Sequence, residues 1–167
     1  MGRWSGGAVL VALAVAPACA NSGPPTTMVL TQHRTMVVND VPTDICLALP
    51  ATVAQRVTGL AYRATIPPKE GMAFPFAEAQ PATFSMKNTS IPLSVVWVGP
   101  DAQLLGSATT TPLAAAPYAS PGPVTLAVQM SPKDWGPLAG SARTVSLGES
   151  CDGTIVAGRP GQPPTQF

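Results

Sequence analysis

The chain has 167 residues, 20 of them proline, which leaves room for one domain of about 100 to 110 residues with unfolded ends rather than for two domains. Hydrophobic residues make up 46% and charged residues only 10%, with a net charge of +1. These charges are scattered singly, so no basic stripe can follow a phosphate backbone, and nucleic acid is excluded as an expected partner.

The first twenty residues have the pattern of an export signal: Arg3 supplies the positive start, Ala8 to Ala16 the apolar run, and Ala18-Cys19-Ala20 the small-residue end. The run is shorter than the roughly 20 apolar residues of a membrane-spanning helix, so the body of the protein is expected in solution outside the cytoplasm. Two processing fates are open. In one, Cys19 becomes the lipid-modified first residue of a bacterial lipoprotein, although Val15-Ala16-Pro17-Ala18-Cys19 departs from the usual lipobox. In the other, a cut after Ala20 releases a soluble protein. The only membrane contact expected is through a lipid on Cys19. Residues 21–35 read as a flexible arm, and residues 156–167, with Pro160, Pro163 and Pro164, as a disordered tail, because neither buries enough apolar surface to offset its ordering entropy.

A single β-rich domain is expected over residues 36–155. Met36-Val37-Val38 reads as a short edge strand limited by Pro42, and Ile45 to Leu49 as the next strand. After Pro50, the spacing of Val53, Val57, Leu60 and Ala61 puts them on one face of a helix, with Thr52 as N-cap and Pro67-Pro68 as the stop. Strands are expected at Met72 to Phe76, Ala82 to Met86, Leu93 to Val98, Gln103 to Thr111 and Val124 to Met130, with Gly99-Pro100-Asp101-Ala102 as a hairpin turn. The segment from Thr109 to Pro123 reads as an Ala- and Pro-rich flap. Lys133 to Gly136 forms a short helical turn, and Thr144 to Leu147 is the last strand. Short, closely spaced strands with one helix predict a mainly β (α+β) fold, a compact antiparallel β-sandwich or open barrel with one main helix and a short helical turn.

Removal of the signal leaves Cys46 and Cys151 in a compartment where disulfides persist, and they are expected to pair, stapling the two ends of the domain. The alternative is two buried free thiols. The only histidine, His33, lies in the expected arm, which removes support for a Ser-His-Asp or Cys-His arrangement and for a zinc site. No Asp-x-Asp run suits calcium. Glu70, Glu78 and Asp101 read as solvated charges in turns. No catalytic group, metal or cofactor is therefore expected.

Lys87-Asn88-Thr89 is a polar triplet between two apolar strands. It reads in two ways: as a polar patch in which Lys87 meets an anion while Asn88 and Thr89 orient a ligand, or as a structural turn with Lys87 in water. Arg56 and Arg63 stand seven apart, on a similar side of a continuous helix. One of them can pin the helix to the sheet, or Arg63 and Lys87 can meet as an anion site. Met72, Phe74, Phe76, Phe84 and Met86 alternate along their strands, as core residues do, with a small apolar pocket as the alternative.

Gly59-Leu60-Ala61-Tyr62-Arg63, then Gly71-Met72-Ala73-Phe74-Pro75-Phe76, then Met86-Lys87-Asn88-Thr89-Ser90-Ile91-Pro92-Leu93 match GLxxR, GMxFxF and MKNTxIPL. In these motifs, over residues 45–148, the chain resembles the family called domain of unknown function 192, in which the Arg56 and Arg63 positions both carry Arg. The resemblance implies a compact, mostly antiparallel β structure with one helix and no known activity. Ser94 replaces the family's usual Asp, and Val124-Thr125-Leu126-Ala127-Val128 lacks the usual acid. Three functions stay open: an envelope module binding an unknown small molecule or envelope protein, an accessory domain without a ligand, and a minimal enzyme using Lys, Arg and Asn.

Overall fold

The computed structural model describes residues 32–155. The expected export signal with Cys19, residues 21–31 of the expected arm, and the tail at 156–167 lie outside the described residues. Strands β1 (Gln32–Val38) and β2 (Val41–Leu49) form a hairpin through Asn39-Asp40. Both turn residues have positive φ, 50° and 62°, as in a two-residue hairpin turn that Asn and Asp tolerate better than most side chains. Pro42 stands just past this turn, opposite Val37, so it does not shorten β1. Strand β1 takes in Gln32 to Thr35 of the expected arm and lies between β2 and β9 (Val145–Ser150), an interior strand rather than the short edge strand expected.

The chain then crosses over. Strand β3 (Glu70–Gln80) returns parallel to β2, with Cys46 opposite Glu70 and Ala48 opposite Met72. A parallel return needs a long connection, and here residues 50–69 supply it, carrying helix α1 (Val53–Thr58). The other pairings of the sheet are antiparallel. With β5 (Ser94–Val98), β6 (Leu104–Thr109) and β8 (Val124–Met130) the strand order is β6-β5-β8-β3-β2-β1-β9. The two edges approach at one bridge, Gln103 to Thr144, where Leu104 N donates to Arg143 O at 2.8 Å, and the sheet does not close. Strands β4 (Thr83–Phe84) and β7 (Tyr118–Ala119) make a separate small ribbon. The fold is thus compact, mainly β and α+β as expected, with the sheet mixed rather than wholly antiparallel.

Helix α1 is shorter than the apolar spacing predicts. Thr52 does cap it: its hydroxyl accepts from Gln55 N at 3.1 Å while Gln55 Oε1 accepts from Thr52 N at 3.2 Å, a reciprocal capping box. The chain leaves the helix at Gly59, however, with φ 52° and ψ −125°. Leu60 is buried as predicted, but beyond the helix, and Val53 and Val57 are 79% and 81% exposed. Helix α2 (Pro132–Ala139), expected as a single turn, is the longer one; Ser131 caps it and Trp135 anchors it in the core.

Both sheet faces are covered, so alternate residues enter different cores. In β5, Val96 and Val98 join the cluster of Met36, Ile45, Leu47 and Trp135, whereas Val95 and Trp97 join that of Met72, Phe74, Met86 and Leu60. The second cluster lies under the crossover and the ribbon, and Phe76 and Phe84 pack at its margin. Met72, Phe74 and Met86 are therefore core residues, whereas Phe76 and Phe84 are half-buried beside them.

Cys46 and Cys151 are bonded across a separation of 105 residues. Beside the bond, the Glu70 carboxylate accepts from Thr154 N at 2.9 Å, Thr154 Oγ1 at 2.8 Å and Ile155 N at 2.8 Å. His33 Nε2 lies 3.0 Å from Ile155 O. Glu70 is thus no solvated turn charge; with His33 it ties the segment after β9 to β3 and β1. Closing so long a loop is worth up to about 4–5 kcal/mol in the chain-entropy model. In urea unfolding, Cys46→Ser is expected to lose stability of that order, and reductant should bring the wild type down to the variant's level.

Candidate functional site

Strand β2 pairs with β3 only as far as Met72. Beyond that point the Pro75 carbonyl accepts from Arg56 Nη2, and the Arg56 guanidinium carbon stands 5.0 Å from the centroid of the Phe76 ring. Arg56 therefore pins α1 to the sheet through a carbonyl bond and a cation–π contact. Its Nη1 is buried without a partner among the described residues. Gly59 follows, in a backbone region that glycine enters freely and other residues do not. A Cβ there would stand 3.4 Å from Gln129 Oε1 and 3.5 Å from Phe74 Cζ. Between this corner, β3, β4 and the loop at 85–89 lies a cavity of about 570 Å³, within the usual size of small-molecule sites.

The polar triplet forms one wall, and its members divide the work. Asn88 and Tyr62 both have positive φ, 60° and 63°. Tyr62 N donates to Asn88 O at 2.8 Å, and Asn88 Nδ2 donates to Tyr62 Oη at 2.7 Å, so Asn88 clamps the crossover to the loop. Thr89 is buried; its N donates to Met86 O at 3.0 Å and its carbonyl accepts from Leu113 N at 2.9 Å, fastening the flap. Lys87 is exposed at the cavity, and among the described residues the one ion pair is Lys69 with Asp44. The structural reading fits Asn88 and Thr89, and the ligand reading keeps Lys87.

Arg56, Lys87, Asn88 and Thr89 thus line a single cavity, and Arg63 is not among its lining residues. Because the helix stops at Thr58, the seven-residue spacing no longer places the two arginines on one face. Arg63 is half-buried, with Nε unpartnered among the described residues. Burial pushes its guanidinium below the ordinary value, partly offset by the charge of Glu70. Ser94 is buried at the start of β5, in alternation with Val96 and Val98, and so faces the other core. Its replacement of an acid therefore frees no charge in this cavity.

The sequence reading missed Gln129, and it ranked core packing above a pocket for the phenylalanines. Gln129 lies in β8 between Val128 and Met130, is 5% exposed, and lines the cavity. The signal was a lone amide in an otherwise apolar end of a strand. Phe74, Phe76 and Phe84 also line the cavity; Phe74 and Phe84 meet edge to face at 5.3 Å. Arg56 and Lys87 are the charged lining residues, with no carboxylate beside them. A second cavity, of about 470 Å³, has Lys133 and Asp134 together, and Asp134 already accepts from Lys69 N at 3.1 Å.

Left-handed backbone at Asn88 and Gly59 sets two stability tests. Asn88→Ala is expected to cost about 1–2 kcal/mol through strain and the lost Tyr62 bond, and Asn88→Gly less, since glycine restores the backbone part. Gly59→Ala should destabilise by about 1 kcal/mol or more. Urea denaturation of the three variants reads the order directly.

The family model for domain of unknown function 192, described as an uncharacterized ACR, matches residues 34–135. Two solved structures share the fold. One is a Sinorhizobium meliloti 1021 protein provisionally named a transcription regulator, 25% identical with a TM-score of 0.61, the match covering 72% of this chain and 94% of that one. The other is a protein of unknown function from Novosphingobium aromaticivorans DSM 12444, 26% identical with a TM-score of 0.60, covering 85% of this chain and 99% of that one. No curated protein matches the chain. The family match spans more than half of the sequence, including the α1 corner, the Phe-lined strand β3 and the Lys87 loop, and the chain belongs to the domain of unknown function 192 family.

Proposed function

We propose that this protein is a binding module of the cell envelope that takes a small anionic ligand in the cavity beneath α1. One observation carries the reading: the cavity combines two cationic side chains, Arg56 and Lys87, with phenylalanine walls and no carboxylate. An anion entering it meets attraction without a competing internal partner, while an apolar body gains about 25 cal/mol per Å² buried against the rings. Lys87, on a flexible stem, makes the first contact; Arg56, already tied to Pro75, presents a fixed charge. The lining pairs no nucleophile with a His or carboxylate base, which favours binding over catalysis.

The Cys46–Cys151 bond suits an oxidising compartment, in keeping with an export signal in residues 1–20. Intact-mass measurement on protein recovered from the envelope is expected to show a chain starting at lipidated Cys19 or at Asn21; an unprocessed Met1 start would refute export by this signal.

Val53 and Val57 on α1, and Leu113 at 63% exposure on the flap, favour a second reading, in which this side docks a protein partner and the domain works as an accessory without a ligand. Native mass spectrometry of the mature protein separates the two. A stoichiometric adduct is expected, lost on denaturation, with affinity lowered roughly tenfold in Lys87→Ala and weakened by salt. A bare protein would move the weight to the protein partner.

A further inference from the structure

We infer that the ligand carries an amide beside its acid: it is an N-acylated amino acid with an apolar side chain, free or as the C-terminal residue of a peptide. This rests on the anion-binding reading above and names the ligand class of the same cavity. Gln129 carries the argument. It is 5% exposed and lines the cavity, and its amide keeps contact with the cavity space rather than being sealed in the core.

A ligand that fills the cavity displaces the water around this amide, and both of its ends then need partners: the NH₂ an acceptor, the oxygen a donor. A simple carboxylate satisfies only the NH₂. A hydrocarbon satisfies neither. In an N-acylated amino acid the N–H and a carboxylate oxygen of the same residue can point to one side, so that the Gln129 side-chain oxygen accepts from the N–H while its NH₂ donates to the carboxylate. Gly59 keeps the oxygen approachable, because a Cβ at that position would touch Gln129 Oε1 at 3.4 Å.

The remaining groups fit the rest of the molecule. In an acylated amino acid the carboxylate lies two bonds from the amide nitrogen, so a ligand amide on Gln129 carries its charge toward the rim, where the four-carbon stem of Lys87 can follow it. The edge-to-face pair Phe74 and Phe84 offers a seat for an apolar, preferably aromatic, side chain. The cavity of about 570 Å³ is of a size to hold one residue with its acyl group.

The test is calorimetric titration of the oxidised mature protein with four probes. These are N-acetyl-L-phenylalanine, 3-phenylpropionate (acid without amide), N-acetyl-L-phenylalanine amide (amide without acid) and the peptide Ala-Ala-Phe. N-acetyl-L-phenylalanine is expected to bind at least about tenfold tighter than either truncated probe, the factor of one charge-assisted or one buried amide hydrogen bond. Gln129→Leu should narrow its advantage over 3-phenylpropionate to within about twofold; if that variant does not fold, the wild-type ratio decides alone. Equal binding of 3-phenylpropionate would overturn the amide inference and leave the anion site standing. Equal binding of the acid-free amide, or no binding of any probe, would overturn both. Ala-Ala-Phe matching N-acetyl-L-phenylalanine would assign the site to peptide C-termini, and its failure to bind would assign it to the free acylated amino acid.

Discussion

The parallel return of β3 beside β2 shapes everything on the outer face of the sheet. A parallel neighbour cannot be reached by a tight turn, so residues 50–69 must travel across that face. Pairing between the two strands ends at Met72, and the Pro75 carbonyl, beyond that point, is taken by Arg56 rather than by a strand. That one side-chain bond fixes where α1 sits. The space left beneath the helix, floored by Phe74 and Gln129 and walled by the Lys87 loop, is the cavity.

Satisfaction of backbone and buried polar groups explains why the motif residues recur in so small a volume. Arg56 serves a carbonyl of β3, Asn88 and Tyr62 hold each other in left-handed backbone, Thr89 receives the flap at Leu113, and Glu70 receives the amides of Thr154 and Ile155. Each is a local answer to a group that strand pairing leaves open. Lys87 and Gln129 are different: neither side chain is committed to a partner among the described residues, and both line the same space.

Local chemistry was legible in the residues. Thr52 announced a cap, the alternating Met and Phe positions announced strand faces, and the pair Cys46 and Cys151 announced a disulfide. Where the reading went astray, a long-range contact decided. Val53, Val57 and Leu60 looked like one helical stripe, but Gly59 turns the chain out of the helix so that Leu60 alone reaches the core and the two valines stay outside. Arg63 left the expected constellation for the same reason. Pro42 looked like the limit of an edge strand, yet β1 became interior because β9 pairs on its far side.

Membership of the family, the mainly β α+β class, the Cys46–Cys151 pairing and four of the residues that meet in the cavity followed from the sequence by itself, because each rests on residue type, period or short spacing. The parallel direction of β3, the length of α1, the exclusion of Arg63 and the arrival of Gln129 beneath Gly59 were settled only by the tertiary structure. Strand direction and cavity floor bring together residues far apart in the chain, Gly59 and Gln129 among them, and neither period nor propensity records which distant strand will lie beneath a given turn.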